Sequence, residues 1–199
     1  MLRVYGDVWS GNCYKVKLVL TQLGLPFVWV PVDIMKQESR TAEFLAKNPN
    51  GRVPALELDD GTCLAESNAI LWYLAEGSPL VPADRLGRAQ ALQWMFFEQY
   101  SHEPNIATAR FIVRYLGNPP ERREALAAKM APGYAALGVM EGHLAAHDWF
   151  AGGKHSIADI ALYAYTHCAG EGGFDLGRFP AIRSWLARVE SRPLHVPMG

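Results

Sequence analysis

The sequence predicts an α/β domain followed by an all-helical one. Three observations carry that prediction. Short β-branched and aromatic runs alternate with helical periodicity only over residues 1–77. A connector rich in proline fills residues 78–84. Beyond it, every periodic stretch has the spacing of a helix.

The elements follow in order. Residues 2–5 (LRVY) are a short apolar strand. Val16, Val19, Leu20 and Leu23 recur at i, i+3, i+4 and i+7, so residues 12–24 form a helix that Gly24 ends. Residues 27–33 (FVWVPVD) read as a strand, with Pro31 assigning it to an edge or bulge. A short helix over 42–47 stops at the turn cluster Asn48-Pro49-Asn50-Gly51. Residues 54–58 and 61–64 flank Asp59-Asp60-Gly61, a hairpin signal. Glu66-Ser67-Asn68 opens a helix to about residue 76, closed by Gly77, with Ser67 as its cap. The order is β-α-β-α-β-β-α.

After the connector, residues 85 to about 116 form one long helix kinked at Pro104. Pro119-Pro120 precedes a helix to about residue 146. Ser156-Ile157-Ala158-Asp159 has the form of a capping box for a helix to about residue 168. Pro180 suits the first turn of a last helix ending near Arg192-Pro193. The predicted domains are therefore 1–77 and 85–199, joined by the linker 78–84.

Composition narrows the function. Half of the 199 residues are hydrophobic and 20% are charged, enough to bury a core without staples. The net charge is -1, and no basic run offers a face for nucleic acid. Residues 1–77 hold 7 basic and 9 acidic side chains, so neither half is strongly polarised and an anionic membrane surface is not an expected partner either. No apolar run reaches membrane-spanning length, and the opening MLRVYGDVW reads as a strand rather than a leader. Three unevenly spaced cysteines, Cys13, Cys63 and Cys168, fit a reducing compartment, so a cytoplasmic address is expected.

Three features fall at loop ends of the first domain. Ser10-Gly11-Asn12-Cys13 leads into the first helix with the spacing of a thioredoxin-type C-x-x-C, but its first position is serine. No dithiol cycle is available within that turn. A hydroxyl and an amide beside a helix N-terminus suit another molecule's thiolate, or simply a capped helix. Arg52-Val53-Pro54 precedes a strand. A cis bond at Pro54 would offer the backbone of Val53 to an extended peptide, although only about 5–6% of X–Pro bonds are cis. Glu66-Ser67 matches an α-amino-acid head, carboxylate to Ser67 and ammonium to Glu66, and equally matches an ordinary helix start.

With these motifs the chain resembles the soluble glutathione S-transferases, as a bacterial serine- or cysteine-type member. The resemblance rests on Ser10-Gly11-Asn12-Cys13, on Asn48 to Leu56 (NPNGRVPAL), on Glu66 to Ile70 (ESNAI) and on Ser156 to Asp159, and it spans essentially the whole chain. It implies a thioredoxin-like first domain, a helical second domain on the electrophile side of a cleft, and a homodimer. Glutathione would be the co-substrate, with no metal. Glu66 and Ser67 would then hold the γ-glutamyl head, Val53 the cysteinyl backbone beside the family's cis proline at Pro54, and Lys36 and Arg52 the glycyl carboxylate. For the thiolate the order of candidates is Ser10, Asn12, Cys13 and Tyr5. The second substrate is expected to meet Val8, Trp9, His102, Ile106 and Arg110. Ser156 and Asp159 should be structural. His143 and His147 have metal-ligand spacing but also suit a helix end.

Two readings follow from different classes. One is an enzyme that transfers glutathione to a small electrophile in a detoxifying role, or uses it for thiol transfer or peroxide reduction. The other is a non-catalytic protein on the same fold, used for protein interaction or ligand carriage.

Overall fold

The computed structural model describes all 199 residues. They divide into two compact units, residues 1–81 with 193–199, and residues 82–192. The first boundary falls inside the expected connector. The second corrects the expected extent of the helical domain, because the segment after the last helix returns to the first unit. Its carbonyls take donors from the first helix: Tyr14 Oη donates to Val196 O at 2.6 Å, and Lys17 Nζ to Pro197 O at 3.1 Å.

In the first unit the elements are β1 (Leu2–Gly6), α1 (Gly11–Gln22), β2 (Phe27–Pro31), α2 (Ala42–Lys47), β3 (Ala55–Glu57), β4 (Cys63–Ala65) and α3 (Ser67–Ala75). The sheet order is β2-β1-β3-β4. β1 and β2 are parallel, as a crossover through α1 requires, and the other pairs are antiparallel. Pro31 closes β2 on the sheet edge, where a missing N–H breaks no ladder.

Alternation along the strands divides the core. Val4 and Leu56 pack with Val16 and Leu20 of α1 and Ile70 of α3. Tyr5 and Ala55 face the other way, onto Val32 and Phe44. The register has a consequence for function. Tyr5 pairs with Ala55, and Ala55 with Ala65. The end of β1, the start of β3 and the end of β4 therefore lie at one end of the sheet. Ser10, Pro54 and Glu66 all follow or precede those residues closely. Close approach of α1 to this end needs Gly6: a Cβ there would sit 2.8 Å from Cys13 Sγ.

The second unit is helical: α4 (Arg85–Phe97), α5 (Glu103–Arg110), α6 (Arg123–Leu144), α7 (Ile157–Thr166) and α8 (Pro180–Glu190). In place of one helix kinked at Pro104, the segment from α4 to residue 115 widens into π-helical turns at Glu98–His102 and Phe111–Tyr115. The first ends just before Pro104, whose absent N–H interrupts the regular ladder. All ten residues of α7 are buried, as expected of a helix apolar all round. No helix is long and apolar enough to cross a membrane.

The α7 N-terminus is closed by its own side chains. Ser156 N and Oγ both donate to Asp159 Oδ2, at 2.9 and 3.0 Å. Trp185 Nε1 and Phe150 N donate to Asp159 Oδ1, at 2.9 and 3.2 Å. Burial pushes the Asp159 carboxyl up to about 6 despite these four donors. His143 and His147, the pair with metal-ligand spacing, stack on each other at 4.4 Å and each bonds a backbone carbonyl.

Candidate functional site

At the sheet end, the tips of α1 and α3 are joined by side chains. Ser67 Oγ donates to Asn12 Oδ1 at 3.2 Å. Lys15 Nζ donates to Ser67 Oγ at 3.3 Å and to Asn68 Oδ1 at 3.4 Å. Ser10, Asn12, Glu66 and Ser67 thus belong to one continuous polar surface built from two helix N-termini.

Each tip is made differently. Ser10 caps α1, its Oγ accepting from Cys13 N at 3.4 Å, and the side chain is largely buried. Its O–H remains a donor. Ser67, by contrast, does not cap α3 as the sequence suggested. It is the first helical residue, Glu66 stands in the cap position, and the Glu66 side chain makes no cap hydrogen bond. The Ser67 hydroxyl is spent on Lys15 and Asn12 instead. Glu66 has φ 66° and ψ 109°. A non-glycine residue there stores about 1–3 kcal/mol of strain, a cost that accumulates at binding sites.

The Val53–Pro54 peptide is cis. Asn48 Nδ2 donates to Arg52 O at 2.7 Å and fixes the turn that leads into it. Arg52 itself is exposed. Lys36 extends into solvent and pairs with Asp33 at 3.2 Å, and its N–H groups hold the Asp33 carboxyl below its ordinary range. Neither cation touches the α1–α3 cluster.

Two thiolate candidates are removed by their surroundings. Cys13 has no exposed surface, and burial pushes its thiol up to about 12. At pH 7 only about one molecule in 10⁵ would carry a thiolate there. Tyr5 lies on the opposite face of the sheet from α1 and α3. Its Oη donates to Glu57 Oε2 at 2.7 Å, with the Lys47 ammonium 4.8 Å above its ring.

The expected acceptor residues separate in the same way. Val8 and Trp9 are about half exposed beside Ser10. His102, Ile106 and Arg110 are buried within the helical unit. His102 Nε2 pairs with Thr166 Oγ1 at 3.0 Å, and Arg110 Nε with Glu171 Oε2 at 2.8 Å. Ile106 packs by Gly133 of α6. As placed, these three offer no surface, and of the five expected residues only Val8 and Trp9 are exposed. The resemblance that suggested them could not say which way each side chain turns.

Lys15 was missed. It is wholly buried, yet the sequence held a signal. It stands four residues before Val19, on the apolar stripe that identified the helix. A lysine on such a stripe is rare unless its ammonium has partners.

Comparison with known proteins gives the family. Residues 9–76 match the family model for the glutathione S-transferase N-terminal domain, and residues 105–193 that for the C-terminal domain. Glutathione S-transferase 3 of Zea mays is 34% identical over 96% of this chain and 90% of its own. A crystal structure of a glutathione S-transferase from Pseudomonas fluorescens is 59% identical, with a TM-score of 0.97 over 99% of this chain and 98% of that one. A glutathione transferase from Pseudomonas putida, solved with one glutathione disulfide bound per subunit, is 28% identical, with a TM-score of 0.85 over 97% and 88%. Family matches in both halves, together with a full-length structural neighbour, identify the chain as a member of the glutathione S-transferase family.

Proposed function

We propose that this protein is a glutathione transferase: it binds glutathione across the tips of α1 and α3, holds the sulfur as a thiolate and transfers it to a small electrophile. The observation that carries the reading is the Ser67–Asn12 hydrogen bond, which makes the head-group cradle and the thiolate donors parts of one surface. Glu66 takes the ammonium of the γ-glutamyl head, while Ser67 at the α3 N-terminus takes its carboxylate. Val53 pairs with the cysteinyl backbone beside Pro54, and the exposed cations Lys36 and Arg52 meet the glycyl carboxylate.

The sulfur then lies at the α1 tip, with Ser10 as its first donor and Asn12 as its second. A free thiol with a pKa of about 8.5 is only about 3% ionised at pH 7. Lowering that pKa by about two units takes roughly 2.7 kcal/mol of differential stabilisation. One hydroxyl hydrogen bond to charged sulfur and the field of a helix N-terminus are together of that size. The thiolate attacks the electrophilic carbon, the carbon–sulfur bond forms, and the leaving group departs with the electron pair. Val8 and Trp9, exposed and apolar, flank that approach.

The protein is a cytoplasmic homodimer in this reading. Its three cysteines are free, and Phe96 and Tyr100, four residues apart along one helical face, are 69% and 88% exposed. Retention on immobilised glutathione, then conjugation of a generic aryl halide, tests the reading. Failure of the purified chain to bind glutathione by calorimetry would refute it. The Pseudomonas putida neighbour with bound glutathione disulfide favours one variant, reduction of mixed disulfides by glutathione at the same site. A thiol-transfer assay on the same preparation separates the two.

A further inference from the structure

We propose that Lys15 is a positioning residue that makes thiol activation depend on the γ-glutamyl carboxylate of the bound thiol. The inference rests on the glutathione reading above and deepens it. Lys15 lies wholly buried on α1, with its Nζ 3.3 Å from Ser67 Oγ and 3.4 Å from Asn68 Oδ1. An ammonium only donates. Ser67 Oγ therefore accepts from Lys15, and its single proton goes to Asn12 Oδ1, 3.2 Å away. The relay has one direction, from Lys15 through Ser67 to Asn12. It holds the carbonyl end of the Asn12 amide toward α3, and the NH₂ end faces the other way.

An entering carboxylate competes for the same Ser67 proton. The Lys15 ammonium cannot leave, so Ser67 keeps its acceptor side occupied and turns its proton to the ligand. Occupation of the head pocket is thereby felt at Asn12, a donor for the sulfur. A thiol without the γ-glutamyl head leaves the relay in its resting arrangement. The charged side chains acting at the α1 tip are Lys15 and Asp7, and Glu66 opens α3. None of these is needed as a proton carrier.

The test uses the full chain with two thiols, glutathione and the dipeptide Cys-Gly that lacks the head. Binding, ultraviolet thiolate titration and kcat/KM are measured for the unmodified chain, Lys15→Met, Lys15→Arg and Ser67→Ala. Lys15→Met should lower kcat/KM for glutathione about tenfold, the effect of one charge-assisted hydrogen bond. It should raise the pKa of the bound thiol by about one unit and shrink the preference for glutathione over Cys-Gly. Lys15→Arg should restore part of each. A purely structural lysine would lower Tm and leave the thiol pKa and the preference unchanged. Should Lys15→Met not fold, Ser67→Ala removes the middle of the relay and is expected to give the same pair of shifts. Unchanged thiol pKa and unchanged preference in the folded variants would overturn the role of Lys15 alone. Absence of glutathione binding by the unmodified chain would overturn the glutathione reading with it.

Discussion

Two helix N-termini in this molecule begin with the same chemistry, a serine and a nearby acid, and end in opposite states. At α7, Ser156 and Asp159 turn inward on each other, and Trp185 and Phe150 complete the set. Neither Ser156 nor Asp159 has exposed surface. At α3, the cap residue Glu66 makes no side-chain cap bond and sits in strained backbone, and Ser67 reaches across to Asn12 and Lys15. The acid's place accounts for the difference. Asp159 lies three residues into the helix, where a carboxylate can fold back on the cap. Glu66 lies before the helix, exposed, and its side chain makes no cap bond. A closed N-terminus contributes stability, and an open one leaves donors for a ligand.

The largest test of that contrast is Asp159→Ala. It removes the acceptor for four buried donors, and a loss of about 4 kcal/mol is expected in urea unfolding. The glutathione affinity of whatever remains folded should not change. The pH dependence has a definite sign. A carboxyl raised from 3.8 to about 6 in the folded state contributes stability that is complete below 3.8 and lost as pH rises through 6. Compared with Asp159→Asn, the unmodified chain should give up about 3 kcal/mol of its relative stability between pH 3.5 and 7. A difference that does not vary with pH would show that the four donors cancel the effect of burial at this carboxyl.

Glu66→Gly probes the open tip and should move the opposite quantities. Glycine relieves the positive φ, so stability should hold or rise by about 1 kcal/mol. Loss of the ammonium partner should weaken glutathione binding about 100-fold by calorimetry. Equal loss of stability and affinity would mean that the α3 tip is as structural as that of α7. Ser10→Ala falls between the two cases, since Ser10 is both a cap and the proposed thiol donor. It should cost about 1 kcal/mol of stability and raise the bound thiol's pKa by about one unit, with affinity nearly intact. An unchanged thiolate titration would pass the role to Asn12.

The same contrast explains what could be read from the sequence. Periodicities of two and 3.6, with turn residues between them, are enough for the order of elements along the chain and most helices, because burial imposes those patterns on side chains directly. The site motifs were legible because they lie at element ends. Side-chain direction was not. Arg110 and His102 looked like cleft residues, but π-helical turns on either side of α5 shift the register that would have told which face they occupy. The return of residues 193–199 to the first unit depends on Tyr14 and Lys17, whose bonding partners lie about 180 residues away. Ser67 was read as a cap because local spacing cannot reveal a lysine on another helix that takes its hydroxyl away.

Cys13 gives the smallest effect and separates packing from chemistry most cleanly. It occupies the fourth position of a motif whose spacing suggests redox work, yet it is sealed beneath Gly6 with its thiol pushed up to about 12. A thiol so rarely ionised has no part in attack on an electrophile or in exchange with a disulfide. Cys13→Ala should therefore leave conjugation rates and thiol titration as they are and lower stability by about 1 kcal/mol for the lost sulfur contacts. Loss of turnover in Cys13→Ala with stability preserved would reverse the assignment and make the α1 tip a redox site.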